Sequence, residues 1–167
     1  ALAIIGVYHL TLSFYRKKDK SALYFGLFCL FVSVRTLMVG ENFFAFMFPG
    51  FSWELSVKTQ TLVYYLGVPT IAMYFKSIFR RHIPTPFVRI VQAVSLAFSA
   101  VVLITPARVY SLLNPAFHIF CFMAICVLLY TFFKIIFKGS KSSMAIVLGG
   151  LALVITSLND MIFLSIW

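Results

Sequence analysis

The sequence predicts an all-α protein, a polytopic bundle of transmembrane helices. Hydrophobic residues make up 62% of the 167 residues and charged residues only 11%. Soluble domains are about 45–50% apolar and about 25% charged. The apolar residues form long runs without the alternation that is typical of strands, and a backbone in lipid must satisfy its own hydrogen bonds. Helices surrounded by a lipid bilayer are therefore expected.

The lengths of the apolar runs justify the helices one by one. The six runs cover residues 1–15, 22–40, 59–79, 87–104, 115–137 and 144–167. At a rise of about 1.5 Å per residue, the last five reach roughly 27–36 Å, enough to cross a hydrocarbon core of about 30 Å. The first reaches only about 22 Å. We therefore expect a single transmembrane domain, residues 1–167, from a longer protein, with the first span truncated.

Short polar segments connect the predicted helices. The turns at 16–21, 80–86 and 138–143 are basic, whereas the longer connections at 41–58 and 105–114 are richer in aromatic residues. Asn114 followed by Pro115 is typical of an N-cap with proline at the first helical position. The fifth helix is therefore predicted to begin at Pro115.

The basic residues predict the orientation of the chain in a bacterial cytoplasmic membrane. Eleven of the fourteen lysines and arginines flank one set of turns, and the other three are Arg35, Lys58 and Arg108. Such an excess marks the cytoplasmic side. The first span then runs inward and the sixth ends outside, so a cytoplasmic domain after residue 167 would require a seventh span.

The sequence excludes several classes of function. The net charge of +10 does not indicate nucleic-acid binding, because the basic residues punctuate apolar runs instead of forming one polar face. Neither HExxH nor GxSxG occurs, and no paired carboxylates or Cys/His metal cluster appear. We expect no cofactor, no metal and no catalysis within this segment.

Two charges stand inside predicted spans. Arg35 lies roughly 20 Å above the inner edge of the second span, and Asp160 lies roughly 24 Å above that of the sixth. An intramembrane charge costs about 2.5–3.5 kcal/mol on insertion scales, so a buried partner is favoured. We expect Arg35 and Asp160 to pair. In the alternative, Arg35 snorkels outward and Asp160 is protonated or solvated.

Further polar side chains concentrate in the outer half of the predicted bundle. They are Lys58, Thr61 and Tyr65 on one face of the third span, and Asn114 and His118 at the outer end of the fifth. These five residues could line an outward-facing pocket, or they could only hydrogen-bond neighbouring helices.

Gly67 and Pro69 interrupt the middle of the third span. They predict a kink, which is either a hinge or a packing shape. His9, in the first span, is either a packing residue or a proton sensor.

The stretch 6–37 resembles a bacterial family, the seven-transmembrane receptors with diverse intracellular signalling modules. The resemblance lies in Tyr-His-Leu at 8–10, the basic turn 16–19, "LYFGLFCL" and Arg35, with "SLND" at 157–160 similar to a polar spot in the family's sixth helix. It implies six spans of an expected seven. It also implies an extracellular sensor domain before the helices and a cytoplasmic signalling domain after them, in the same chain.

The resemblance further implies a function and an assembly. The segment would relay an extracellular ligand signal to a kinase, cyclase or phosphatase, and such an output favours a homodimer. The alternatives are a small-solute transporter or channel component, which requires a continuous polar path, and a purely structural subunit.

Overall fold

The computed structural model describes residues 1–15, 20–39, 52–137, 147–152 and 155–156. Five helices are complete within these ranges: α1 (Leu2–Tyr15), α2 (Ser21–Val39), α3 (Trp53–Ile78), α4 (Thr85–Ile104) and α5 (Ala107–Phe137). Residues 147–152 and 155–156 are also helical, and no strand occurs in the part of the chain that is described. The predicted all-α architecture is confirmed. The predicted basic turn at 138–143, and residues 16–19 of the one predicted at 16–21, lie outside the described residues.

Prolines determine both ends of α4. Pro84 precedes the helix with extended backbone angles, and Pro86 occupies its first turn, where a missing N–H costs nothing. At the other end the backbone becomes extended at Thr105, just before Pro106. A residue before proline disfavours the helical conformation, which explains why α4 stops there.

The predicted start of the fifth helix was wrong. α5 begins at Ala107, eight residues before Pro115, and both Asn114 and Pro115 lie inside it. The N–H of Val109 donates to the carbonyl of Pro106 at 3.0 Å and closes the first turn. An internal proline removes only one backbone hydrogen bond, and membrane helices tolerate that loss. The Asn-Pro pair therefore did not define a helix boundary.

Three of the described helices are long and apolar enough to cross a membrane. The qualifying stretches are Ser21–Met38, Thr85–Ile104 and Ala107–Ile135, and Leu2–Tyr15 is apolar but shorter. α3 is long, with 26 residues, but it is more polar because it carries Glu54, Lys58 and several hydroxyl side chains. The total of six spans in this chain, and of seven in the whole protein, stays a prediction.

Contacts divide the chain into two units, Ala1–Ser111 and Leu112–Trp167, with the boundary inside α5. In the first unit the helices pack in chain order: α2 contacts both α1 and α3, and α3 also contacts α4. The second unit contains the rest of α5 and the helical residues 147–152. The first unit contains most of the predicted site residues.

Two glycines allow α1 and α2 to approach each other closely. A Cβ atom added at Gly26 would lie 2.9 Å from the carbonyl oxygen of Gly6 and 2.9 Å from the backbone nitrogen of Leu10. One added at Gly6 would lie 2.9 Å from Cγ of Leu30 and 3.1 Å from the carbonyl oxygen of Gly26. Small residues at membrane helix crossings permit this kind of backbone contact. We call the contact of Gly6 with Gly26 the glycine crossing.

The glycine crossing makes a testable prediction about stability. Gly26→Ala should lower the free energy of unfolding by about 1–3 kcal/mol, because the new methyl group overlaps backbone that cannot rotate away. Thermal unfolding of the detergent-solubilised protein measures this change. Gly67→Ala is the matched control, since Gly67 is also buried in a helix but an added Cβ meets no atom within 4 Å. It should leave stability unchanged or raise it by up to about 1 kcal/mol. Equal stability of the two variants would contradict a tight crossing.

Candidate functional site

Arg35, the arginine inside α2, lies against an aromatic ring. Arg35 is 14 residues above the start of α2 at Ser21, or roughly 21 Å along the helix axis. Its guanidinium carbon is 4.9 Å from the centroid of the Tyr64 ring on α3. A cation over an aromatic face gains about 0.5–2 kcal/mol, and more when it is desolvated. This contact stabilises part of the charge of Arg35 between α2 and α3.

The ring of Tyr64 belongs to a row of contacts across three helices. Tyr64 lies 5.9 Å from Tyr65 between ring centroids, and Tyr65 meets Phe98 of α4 edge-on at 5.7 Å. Tyr65 is only 1% exposed. We call Arg35, Tyr64, Tyr65 and Phe98 the outer row, after the side on which the predicted orientation places them. It connects α2, α3 and α4.

The structure places three of the five predicted pocket residues on α3. Lys58 pairs with Glu54 at 3.4 Å, and the hydroxyl of Thr61 donates to the carbonyl of Val57 at 2.9 Å. Thr61 is buried, and Tyr65 is buried within the outer row. These side chains thus make contacts within α3 and with neighbouring helices, as polar residues of a helix bundle do without a ligand.

The other two predicted pocket residues lie on α5. Asn114 and His118 are one turn apart, both half-buried, and both have interaction partners. They belong to the second unit, whereas Lys58, Thr61 and Tyr65 belong to the first. A pocket shared by all five stays a prediction.

The partner predicted for Arg35 lies outside the described residues. Asp160 follows the last described helical residues, 155–156, so the ion pair with Arg35 stays a prediction. Arg35 makes further interactions besides the one with Tyr64. Sequence reasoning looked for a carboxylate and missed the ring, although an arginine and a tyrosine at matching depths on consecutive spans could have suggested it.

The predicted hinge lies within an unbroken helix. Gly67 and Pro69 are both buried, and α3 continues through them. Proline has no N–H, so the carbonyl of Tyr65 loses its usual intrahelical donor. One residue later, the hydroxyl of Thr70 donates to the carbonyl of Leu66 at 2.7 Å. A hinge at this point stays a prediction.

A second row of aromatic contacts lies near the other ends of the helices. The His9 ring on α1 meets Phe25 of α2 edge-on at 4.9 Å, and Phe25 lies 5.2 Å from Tyr74 of α3. We call His9, Phe25 and Tyr74 the inner row, again after the predicted orientation. The edge-on packing of His9 is the arrangement expected of a packing residue.

Two polar residues of α4 were missed by sequence reasoning. Gln92 donates from its side-chain nitrogen to the sulfur of Met73 on α3 at 2.9 Å. Ser95 is fully buried, and its hydroxyl has no hydrogen-bond partner within the described residues. Their positions follow the buried face of α4, which Val88, Val91, Ser99 and Val102 continue. The sequence feature that could have revealed them is a polar residue at helical spacing among the valines of α4.

The described residues do not offer a metal centre. No group of three or more His, Cys, Asp or Glu side chains could hold an ion within this part of the chain. Cys29 and Cys121 are buried and Cys126 is exposed, and these three described cysteines form no disulfide.

Comparison with known proteins identifies the family. A family model described as 7TM diverse intracellular signalling matches residues 1–167. The chain belongs to this family. The match covers every residue and confirms the resemblance based on the stretch 6–37, on Arg35 and on the residues 157–160. No curated protein and no solved structure matches the chain.

Membership of the 7TM diverse intracellular signalling family establishes the class of protein. Together with the long apolar helices, it indicates a multi-pass membrane protein that serves as a transmembrane sensory module. In such a protein the outer and inner rows are contacts between helices of one sensory module.

The contact of Arg35 with Tyr64 predicts an energetic coupling between the two residues. In a double-mutant cycle with Arg35→Gln and Tyr64→Leu, thermal unfolding in detergent should give a coupling of about 0.5–2 kcal/mol. The control cycle pairs Arg35→Gln with Phe25→Leu. Phe25 is roughly 15 Å away along α2, so its effect should be additive. A Tyr64→Leu penalty that is unchanged in the Arg35→Gln background would contradict the interaction.

Proposed function

We propose that the chain is the membrane relay of a bacterial receptor. It would carry a ligand signal from an extracellular domain to a cytoplasmic signalling domain in the same chain. The observation that carries this proposal is the family match over residues 1–167, because the family is defined by seven spans and intracellular signalling.

The packing of α1 to α4 is compatible with such a relay. Each helix contacts the next, so a displacement of α1 at the glycine crossing presses on the backbone of α2. The inner and outer rows extend the contact from α2 to α3 and from α3 to α4. A ligand that favours one of two helix arrangements outside would thereby shift the same equilibrium at the inner ends.

The proposal includes an orientation and an assembly. The basic turns would face the cytoplasm of a bacterium and the module would lie in the inner membrane, as the distribution of lysine and arginine favours. A homodimer is proposed because kinase and cyclase outputs commonly act as pairs of subunits. The membrane segment itself would perform no catalysis.

The orientation can be tested by cysteine labelling. In a background without Cys29, Cys121 and Cys126, Ser52→Cys should react with a membrane-impermeant maleimide added to intact spheroplasts, because Ser52 is exposed at the start of α3. Lys20→Cys, exposed before α2, should react only after the membrane is opened. Labelling of Lys20→Cys in intact spheroplasts would show that the proposed topology is inverted.

The relay can be tested on the whole protein in proteoliposomes without knowing the ligand. Gly26→Ala should change the basal activity of the cytoplasmic domain by about fivefold or more, because it alters the balance between helix arrangements. Gly149→Ala is the control, since an added Cβ there meets nothing within 4 Å. It should leave that activity unchanged.

Solute flux, measured on the same proteoliposomes, separates the relay from a transporter. A receptor should show no flux of small solutes above protein-free liposomes. Two results together would overturn the proposed function in favour of a transporter or channel component. They are solute flux that depends on the protein and a basal activity of the cytoplasmic domain that Gly26→Ala does not change.

A further inference from the structure

The turn between α3 and α4 displays a cluster of basic residues. Arg80, Arg81 and His82 are exposed in the turn, and Arg89 is exposed just inside α4. We call these four residues the basic turn. The function proposed above does not require it.

The backbone of this turn is anchored from within. The ammonium of Lys76 donates to the carbonyl of Arg80 at 2.9 Å and to the carbonyl of Ile83. The N–H of His82 donates to the carbonyl of Phe79 at 3.0 Å, and the side chains of Phe79 and Ile83 are buried. The turn therefore holds the arginines on a defined backbone, with Lys76 engaged inside it.

No carboxylate in the described part of the chain neutralises the basic turn. Among the described residues the acidic side chain is Glu54, which pairs with Lys58 at the opposite end of α3. That end is roughly 36 Å away along the helix axis. Within the described part of the chain, the arginines of this turn therefore have no carboxylate as a counter-charge.

An exposed apolar strip continues from Arg89 along α4. Ile90, Leu96 and Leu103 are 57%, 59% and 68% exposed, and small alanines lie exposed between them. From Arg89 to Leu96 the strip measures roughly 10 Å, which lies within one leaflet, about half of a hydrocarbon core of about 30 Å. Within that leaflet, a cationic end followed by an apolar surface has the same order as the headgroup and acyl chain of one phospholipid.

We propose that the basic turn binds the phosphate of an anionic phospholipid, whose acyl chain lies along the exposed strip of α4. Basic clusters at the membrane surface attract anionic headgroups. Arg89 favours a lipid over an acidic surface of a cytoplasmic domain, because it lies inside α4 beside the part of the strip that the bilayer covers, and a soluble partner would have to displace lipid to reach it.

The proposal is tested by lipid binding to the whole purified protein. Phosphatidylglycerol should remain bound to the protein in native mass spectrometry. When it is titrated into the protein in detergent solution, it should raise the unfolding temperature more than phosphatidylcholine does. Arg81→Gln with Arg89→Gln should weaken phosphatidylglycerol binding about 25-fold, from about fivefold for each arginine. Arg81→Lys with Arg89→Lys retains the charge and should retain most of the binding.

Arg108→Gln serves as the matched control. Arg108 is also exposed and lies near the start of α5, at the other end of α4 from the basic turn. Its removal should leave phosphatidylglycerol affinity within about twofold of the wild type. A similar loss in this variant would show only nonspecific attraction by net charge.

Three other outcomes would overturn the proposal. One is equal phosphatidylglycerol affinity in the wild type and the double glutamine variant. Another is binding of soluble glycerol phosphate as tight as that of the lipid, which would make the strip irrelevant. The third is a double glutamine variant that keeps its bound lipid but loses the activity of the cytoplasmic domain. That result would assign the basic turn to contact with the signalling domain.

Discussion

The close approach of α1 and α2 at Gly6 and Gly26 is the constraint on which the packing of the first unit depends. Lipid tails are as apolar as leucine, so helices in a bilayer gain little hydrophobic free energy by meeting. Van der Waals contact must hold them together, and a Cβ atom at Gly26 would lie only 2.9 Å from the backbone of α1, which leaves no room for a side chain there. The crossing therefore determines where α1 lies on α2. The inner and outer rows then connect α2 to α3 and α3 to α4.

The rows show how polar side chains are accommodated between these helices. Arg35 meets the face of Tyr64, and His9 meets Phe25 edge-on. Aromatic rings are apolar enough for a bilayer and still present a negative face and a positive edge to polar groups. The high aromatic content, 18% of the residues, thus serves contacts between helices as well as contacts with lipid.

The basic residues all carry the same kind of side chain charge, but they have different structural roles. Lys76 holds the turn after α3 by donating to its carbonyls, Lys58 pairs with Glu54, and Arg35 lies on a ring. Arg80, Arg81 and Arg89 remain exposed to the surroundings. An orientation count treats all of them alike, whereas only the exposed ones can attract a lipid or a protein partner.

Composition and run length determined that this chain is an all-α membrane protein, because lipid leaves the backbone no alternative to the helix. The motifs of the stretch 6–37 were enough to indicate the family. The start of α5 could not be read from Asn114 and Pro115, since one lost hydrogen bond does not end a membrane helix. Only the tertiary structure decided that Tyr64 lies under Arg35 and that Gly26 touches Gly6. Such contacts depend on the rotation and register of packed helices, and one sequence does not specify these.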